Sequence, residues 1–125
     1  MKRQPARRGG QLLVDQLVVH GTELAYCVPG ESFLDVLDGF HDAPIRLISC
    51  RHEAAAANMA EAYGKLTGRP GVCIVTRGPG ATHASVGVHT AFQALQTGPN
   101  AKDLLVKGGY RPGALAWCPS RGLAR

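Results

Sequence analysis

The sequence predicts a three-layer α/β/α fold built around a parallel sheet, and two observations carry this prediction. Short, nearly continuous apolar runs alternate with amphipathic segments at a regular spacing along the first three quarters of the chain. Each apolar run ends in a turn rich in glycine, proline or charged residues. Strands buried on both faces have this continuous apolar character, and alternation with helices favours parallel order.

The individual elements follow from local spacing and stop signals. Helices are predicted where apolar residues recur every three or four positions, or where alanine is abundant, at residues 11–19, 31–40, 53–67 and 81–93. Gly21 and Gly68 are placed as helix stops. Strands are predicted at residues 24–28, 45–49 and 72–76. Ligands of parallel sheets bind at the carboxyl ends of the strands, so a site is expected there.

Composition narrows the class of protein. The chain has 125 residues, of which 45% are hydrophobic and 18% charged, which fits one folded domain. The net charge of +5 comes from the two ends, because residues 1–8 carry four positive charges and residues 96–125 carry five against one negative. We interpret these ends as solvated tails and expect no nucleic-acid partner. No apolar run reaches membrane-spanning length, and a cytoplasmic location is expected.

The four cysteines have no CxxC pair and no histidine at zinc spacing. We therefore expect free thiols, mostly buried, and assign no metal site. The histidines do not indicate one either, because His83 and His89 are six residues apart on one predicted helix and His52 has no second ligand in sight. Ordinary histidines are the simpler interpretation.

Glu53 is the first candidate functional residue, since it begins a predicted helix at the end of a strand. An acidic residue there also complements the helix dipole, so position alone assigns no function. A carboxyl group in an apolar site would have a raised pKa and could share a proton with a ring nitrogen. The turn Gly78-Pro79-Gly80 lacks a phosphate-loop pattern, and neither it nor Pro29-Gly30 indicates more than a tight turn by itself.

Together, three ordered segments resemble the N-terminal pyrimidine-binding domain of acetolactate synthases and related thiamine-diphosphate enzymes. They are Val28-Pro29-Gly30-Glu31-Ser32-Phe33, Arg51-His52-Glu53 with the run from Ala60 to Gly71, and Thr76-Arg77-Gly78-Pro79-Gly80-Ala81-Thr82. Gly87-Val88-His89-Thr90-Ala91-Phe92-Gln93 continues the likeness, which covers residues 9 to about 93. Each segment is a weak signal alone, and their order and separation make the resemblance specific.

The resemblance implies a role for each matched position. Glu53 would hydrogen-bond the aminopyrimidine of thiamine diphosphate and favour the imino form that removes the thiazolium proton. Pro29 and Gly30 would lie against the pyrimidine ring, and Gly78 and Gly80 would shape the neighbouring turn. The last matched pair, Phe92 and Gln93, would face the substrate, a 2-oxo acid such as pyruvate.

The likeness stops after Gln93. Residues 1–8 are taken as a basic tail, 9–95 as an incomplete pyrimidine domain and 96–125 as an irregular or disordered tail. A reading-frame shift is our hypothesis for the origin of this last segment. The Gly-Asp-Gly motif that holds Mg²⁺ and the diphosphate in the family does not occur in the sequence, and neither does the central domain that binds FAD in some members. Sequencing the DNA beyond codon 93 in all frames would test the frame-shift hypothesis.

Two functions are consistent with these features. In the first, the chain is a fragment of an acetolactate synthase-like decarboxylase or carboligase, a transferase class, and is inactive alone. In the second, it is a non-catalytic partner or regulatory subunit of a full-length thiamine-diphosphate enzyme. A homodimer or pairing with such a relative is expected in either case. The substrate within the family is not distinguished by these motifs.

Overall fold

A computed structural model describes residues 7–97 and 114–116 of the chain. The helices are α1 (Gly9–Val19), α2 (Leu34–Phe40), α3 (Glu53–Thr67) and α4 (Pro79–Thr97). The strands are β1 (Leu24–Cys27), β2 (Arg46–Ser49), β3 (Gly71–Ile74) and β4 (Ala114–Ala116). A 3-10 turn at Glu31–Phe33 precedes α2, so the second predicted helix begins later than its sequence indicated.

The strands form one sheet in the order β2-β1-β3-β4, with every neighbouring pair parallel. The predicted parallel α/β fold is therefore confirmed. Strand β4 lies in the segment expected to be irregular, and the sequence did not indicate it. The apolar stretch Leu104–Val106 and most of the tail lie outside the described residues.

Helices cover both faces of the sheet because successive strand residues point to opposite sides. Val72 packs with Val14 and Phe40 in a cluster beneath α1 and α2. Its neighbour Cys73 points the other way and packs with Ala57 and other small residues of α3 and α4. The two apolar clusters thus lie on opposite sides of one sheet, which gives the three layers.

Helix α3 has the boundaries that the sequence predicted. Its first residue follows His52, whose ring Nδ1 accepts a hydrogen bond from the backbone N–H of Ala54 at 3.1 Å. This bond satisfies one of the amide groups that a helix leaves unpaired at its start. The helix ends at Gly68, which adopts φ +67° in the left-handed region where glycine is favoured. The beginning of α3 is therefore held at the carboxyl end of β2.

The thiols behave as expected within the described part of the chain. Cys27, Cys50 and Cys73 are free, and Cys27 and Cys73 are buried. Burial raises the pKa of Cys73 to about 12 and also raises the pKa of Cys27 and Cys50. Because the thiolate is the reactive form, these side chains contribute packing rather than nucleophiles. Cys118 lies outside the described residues.

None of the helices in the described ranges combines the length and the apolar character that crossing a membrane requires.

Candidate functional site

The carboxyl ends of strands β1, β2 and β3 bring together side chains that are far apart in the sequence. Gly30 follows β1, Glu53 follows β2 and Thr76 follows β3. With Gly80 and His83, from the first two turns of α4, these residues form what we call the strand-end cluster. Parallel strands place their carboxyl ends on one edge of the sheet, which is where the sequence predicted a site.

Glu53 is the acidic member of the strand-end cluster, and its side chain is only 13% exposed. Its Oε2 lies 3.1 Å from Nδ1 of His83. Its Oε1 lies 3.3 Å from the point where a side chain at Gly80 would begin. The two oxygens therefore face different surroundings, one a hydrogen-bond donor and the other a glycine without a side chain.

The pKa of Glu53 is lowered from its ordinary value, which corrects the raised pKa expected from an apolar site. The main cause is a hydrogen bond with its own backbone amide group, which stabilises the carboxylate. Partial burial acts in the opposite direction, and the hydrogen bond and charge of His83 add to the lowering. The alanines beside Glu53 led us to expect a raised pKa, but the hydrogen bonds and charges at the start of α3 lower the pKa by more than burial raises it.

His52 and His83 form a stacked pair beside this carboxylate. Their ring centroids are 5.0 Å apart and the planes differ by 24°. A backbone N–H can only donate, so Nδ1 of His52 carries no proton while it caps α3. The carboxylate of Glu53 accepts, so Nδ1 of His83 carries the proton that lies between them. Each ring is thus oriented by a hydrogen bond on its Nδ1.

Thr76 packs closely against two glycines beside Glu53. A Cβ at Gly30 would lie 3.0 Å from Cβ of Thr76, and one at Gly80 would lie 2.8 Å from its Cγ2. The hydroxyl of Thr76 is 2.6 Å from that of Ser32, which links the ends of β1 and β3. Close packing therefore favours glycine at both positions, and Gly80 places no side chain against Glu53 Oε1.

The residues to which the resemblance assigned roles lie in different parts of the structure, and only some of them come together. Gly30, Glu53 and Gly80 come together in the strand-end cluster, with Pro29 exposed beside Gly30. Gly78 precedes α4 with φ +68°, as a tight turn requires. Phe92 and Gln93 lie further along α4; nine residues separate Phe92 from His83, or about 13 Å of helix. Their substrate-facing role stays a prediction.

His52 and His83 are the functional candidates that sequence reasoning set aside. Together with Glu53 they offer ligand atoms that lie within 4.8 Å of one another. His83 follows Glu53 by 30 residues, so no spacing rule on one helix could pair them. The available signal was that each lies within two turns of a predicted strand end.

The lowered pKa of Glu53 predicts how stability depends on pH. A carboxyl group with a lower pKa in the folded than in the unfolded protein stabilises the fold above the unfolded value, near 4.3, and loses this effect as the pH falls through the folded value. We expect Glu53→Gln to be less stable than the parent at pH 7 and the difference to shrink below about pH 4. Urea unfolding at several pH values measures it, and a difference independent of pH would contradict the pKa shift.

Comparisons with known proteins identify the family. The family described as "Thiamine pyrophosphate enzyme, N-terminal TPP binding domain" matches residues 7–96. The acetolactate synthase of Bacillus subtilis is 45% identical over 84 residues, which are 67% of this chain and 15% of the relative. The catabolic acetolactate synthase of Raoultella terrigena is 43% identical over 83 residues, 66% of this chain and 15% of the relative.

A third relative has a name that indicates a different reaction from that of the two acetolactate synthases. The probable 2-ketoarginine decarboxylase of Pseudomonas aeruginosa is 35% identical over 92 residues, 74% of this chain and 16% of the relative. The chain therefore spans roughly one sixth of the length of these curated relatives. The match to residues 7–96, on a parallel α/β fold with a polar cluster at its strand ends, shows that this chain belongs to the thiamine pyrophosphate enzyme family through its N-terminal TPP-binding domain.

Proposed function

We propose that the strand-end cluster binds the aminopyrimidine ring of thiamine diphosphate and that Glu53 is the group that shares a proton with a ring nitrogen. The observation that carries the proposal is the placement of Glu53. Its carboxylate is mostly buried, held at the start of α3, and bordered by a glycine on its Oε1 side. Family membership makes thiamine diphosphate the cofactor to test.

The residues present fit the pyrimidine end of this cofactor. Thr76 packs against both Gly30 and Gly80, and the two glycines add no side chains of their own, so the surface beside Glu53 is made of small residues on which a flat ring can lie. An aminopyrimidine offers ring nitrogens and an amino group, which a carboxylate and a hydroxyl can pair with. When bound, thiamine diphosphate supplies the electron sink for decarboxylation of a 2-oxo acid, and the protein supplies binding, orientation and charge.

The lowered pKa of Glu53 suits this role. A stronger acid gives up its proton more readily to a partner, so the proton in a carboxyl–ring pair lies further toward the ring nitrogen. The carboxylate that remains favours the protonated ring through charge. Glu53 would thus act as an anion that stabilises a protonated pyrimidine, rather than as the neutral acid expected from an apolar pocket.

Direct titration tests the proposal. We expect thiamine diphosphate with Mg²⁺, and thiamine alone, to shift the amide resonances of Ala54 and Gly80 in two-dimensional NMR spectra of the full chain. Glu53→Gln should weaken thiamine binding by about tenfold to a hundredfold, because a hydrogen bond to a charged group contributes roughly 1.5–3 kcal/mol.

A matched control separates the site from a general loss of charge. Glu23→Gln removes one carboxylate that precedes β1 at the opposite end of the sheet, where Glu23 pairs with Arg69 on the surface. It should bind thiamine like the parent, since exposed ion pairs contribute less than about 1 kcal/mol to stability. Equal affinity in the parent and Glu53→Gln would refute the proposal.

We also propose that the strand-end cluster binds the cofactor together with a second chain, which is a copy of this one or a full-length relative. This second chain would supply the contacts to Mg²⁺ and the diphosphate. The 125 residues contain no Gly-Asp-Gly, so none of them is assigned to the diphosphate. A non-catalytic or regulatory role in such a pair is the alternative. Restored turnover on mixing with a relative that lacks its own activating glutamate would favour the catalytic role.

A further inference from the structure

His83 is the titratable residue of the strand-end cluster to which the family resemblance did not assign a role. It lies in the second turn of α4, and its side chain is half exposed at 51%, in contrast to Glu53 at 13%. It makes two contacts, a hydrogen bond from Nδ1 to Glu53 Oε2 and a stacked contact with the ring of His52. These two contacts restrict the orientation of the ring although half of the side chain is exposed to solvent.

We infer that His83 is a positioning residue for Glu53, which holds Oε2 so that Oε1 is presented toward Gly80. This inference rests on the proposed function, since it assigns Oε1 of Glu53 to the aminopyrimidine. Without His83 the carboxylate would keep the hydrogen bond with its own backbone amide, but Oε2 would lose its partner on α4. The terminal torsion, which is broad and roughly two-fold for glutamate, would then be less restricted. A fixed oxygen binds its partner with less loss of side-chain freedom.

The orientation of His83 depends on His52 in turn. The Nδ1 of His52 accepts the Ala54 N–H, which anchors the ring to the backbone of α3. The ring of His83 stacks on this anchored ring. The stack therefore restricts the orientation of the His83 ring, whose Nδ1 donates to Glu53. The charged or titratable groups that act on Glu53 from the two helices are these two histidines, and both lower its pKa.

A transition-metal ion is the competing occupant, because His52, Glu53 and His83 have ligand atoms at suitable mutual distances. Metal binding through Nδ1 of His52 would remove the cap of α3. The neutral ring that keeps the cap carries its proton on Nε2, which is then no ligand either. The hydrogen bonds of the structure therefore favour positioning over metal binding.

Three variants of His83 separate its two contacts. His83→Ala removes both, His83→Phe keeps a ring for the stack but no donor, and His83→Asn keeps a donor near the place of Nδ1 without the ring. The measurements are the pKa of Glu53, followed by ¹³C NMR of its carboxyl carbon without ligand, and the affinity for thiamine. Alanine is favourable in a helix, so the first variant should fold.

We expect the pKa of Glu53 to rise in the Ala and Phe variants and to lie between these and the parent in the Asn variant. Thiamine affinity should fall about threefold to tenfold in the Ala and Phe variants and recover partly with Asn, as for loss of one hydrogen bond. An unchanged pKa of Glu53 in His83→Ala would overturn the inference. So would a changed pKa with unchanged thiamine affinity while Glu53→Gln still loses affinity, and the proposed function would then stand.

Two further results distinguish the remaining explanations. If Glu53→Gln binds thiamine like the parent, the proposed function fails and the positioning role fails with it. If Zn²⁺ alone binds the parent chain with submicromolar affinity and this affinity is lost in His83→Ala, the three side chains are a metal site and the positioning role is wrong. Absence of such zinc binding supports the role of His83 as a positioning residue for Glu53.

Discussion

Replacing Gly71 by alanine should destabilise the fold by about 3 kcal/mol or more, at the upper end of what overpacking a core causes. Gly71 begins β3 and lies directly under α3. A methyl group there would overlap the carbonyl oxygen of Ala60 and lie 2.6 Å from its carbonyl carbon. Both are backbone atoms on the buried face of α3, so no side chain can rotate away, and the helix itself would have to move from the sheet.

Urea unfolding monitored by circular dichroism measures this effect, and Gly68→Ala is the matched control. Gly68 is three residues earlier and has no atom within 4 Å of an added methyl group, although its φ of +67° makes alanine strained. The control should therefore cost about 1 kcal/mol. If Gly71→Ala is so unstable that it does not fold, the expectation holds. A loss no larger than that of the control would show that α3 does not rest on this glycine.

Gly10→Ala and Gly9→Ala should have opposite effects although they are adjacent in α1. A methyl group at Gly10 would lie 2.5 Å from the backbone N of Val36 and would overlap the carbonyl group of Asp35 in α2. Gly9 has no atom within 4 Å of the same addition. We expect Gly10→Ala to lose about 2–3 kcal/mol by overpacking and Gly9→Ala to be neutral or to gain up to about 1 kcal/mol from helix propensity.

The same unfolding experiment decides the second comparison. Because both variants add one methyl group to the same helix, they share the change in intrinsic helix propensity. The difference between them isolates the close approach of α1 to α2. Gly39 also lies at this contact, and a Cβ there would be 3.2 Å from the carbonyl oxygen of Gly10. Equal stabilities of the two variants would mean that the helices are further apart than described.

The local elements were predictable where a single residue dictates them. The positive φ of Gly68 ends α3 at the residue expected, and the abundance of alanine makes that helix evident. The alternation of apolar runs also indicated parallel strands, since each must be buried on both faces. The 3-10 turn at Glu31–Phe33 was not predicted, because its sequence is compatible with a helix and only packing decides where α2 begins.

The strand β4 and the partner of Glu53 could not be predicted for a related reason. Three residues, Ala114–Ala116, carry too little periodicity to identify a strand that exists through pairing with β3. His83 lies 30 residues from Glu53, and the two meet because α3 and α4 pack closely. That closeness depends on Gly87, where a methyl group would lie 2.5 Å from Cβ of Ala57.

Sequence patterns alone predicted the fold class, the succession along the chain of the helices and of strands β1, β2 and β3, and a glutamate at the end of a strand as the residue to examine. These features depend on local periodicity and on motifs in order along the chain. The tertiary structure decided which groups surround that glutamate and hence the direction of its pKa. Electrostatic shifts depend on distances of a few ångströms between residues far apart in sequence, which only the packing of α3 on α4 and the sheet establishes.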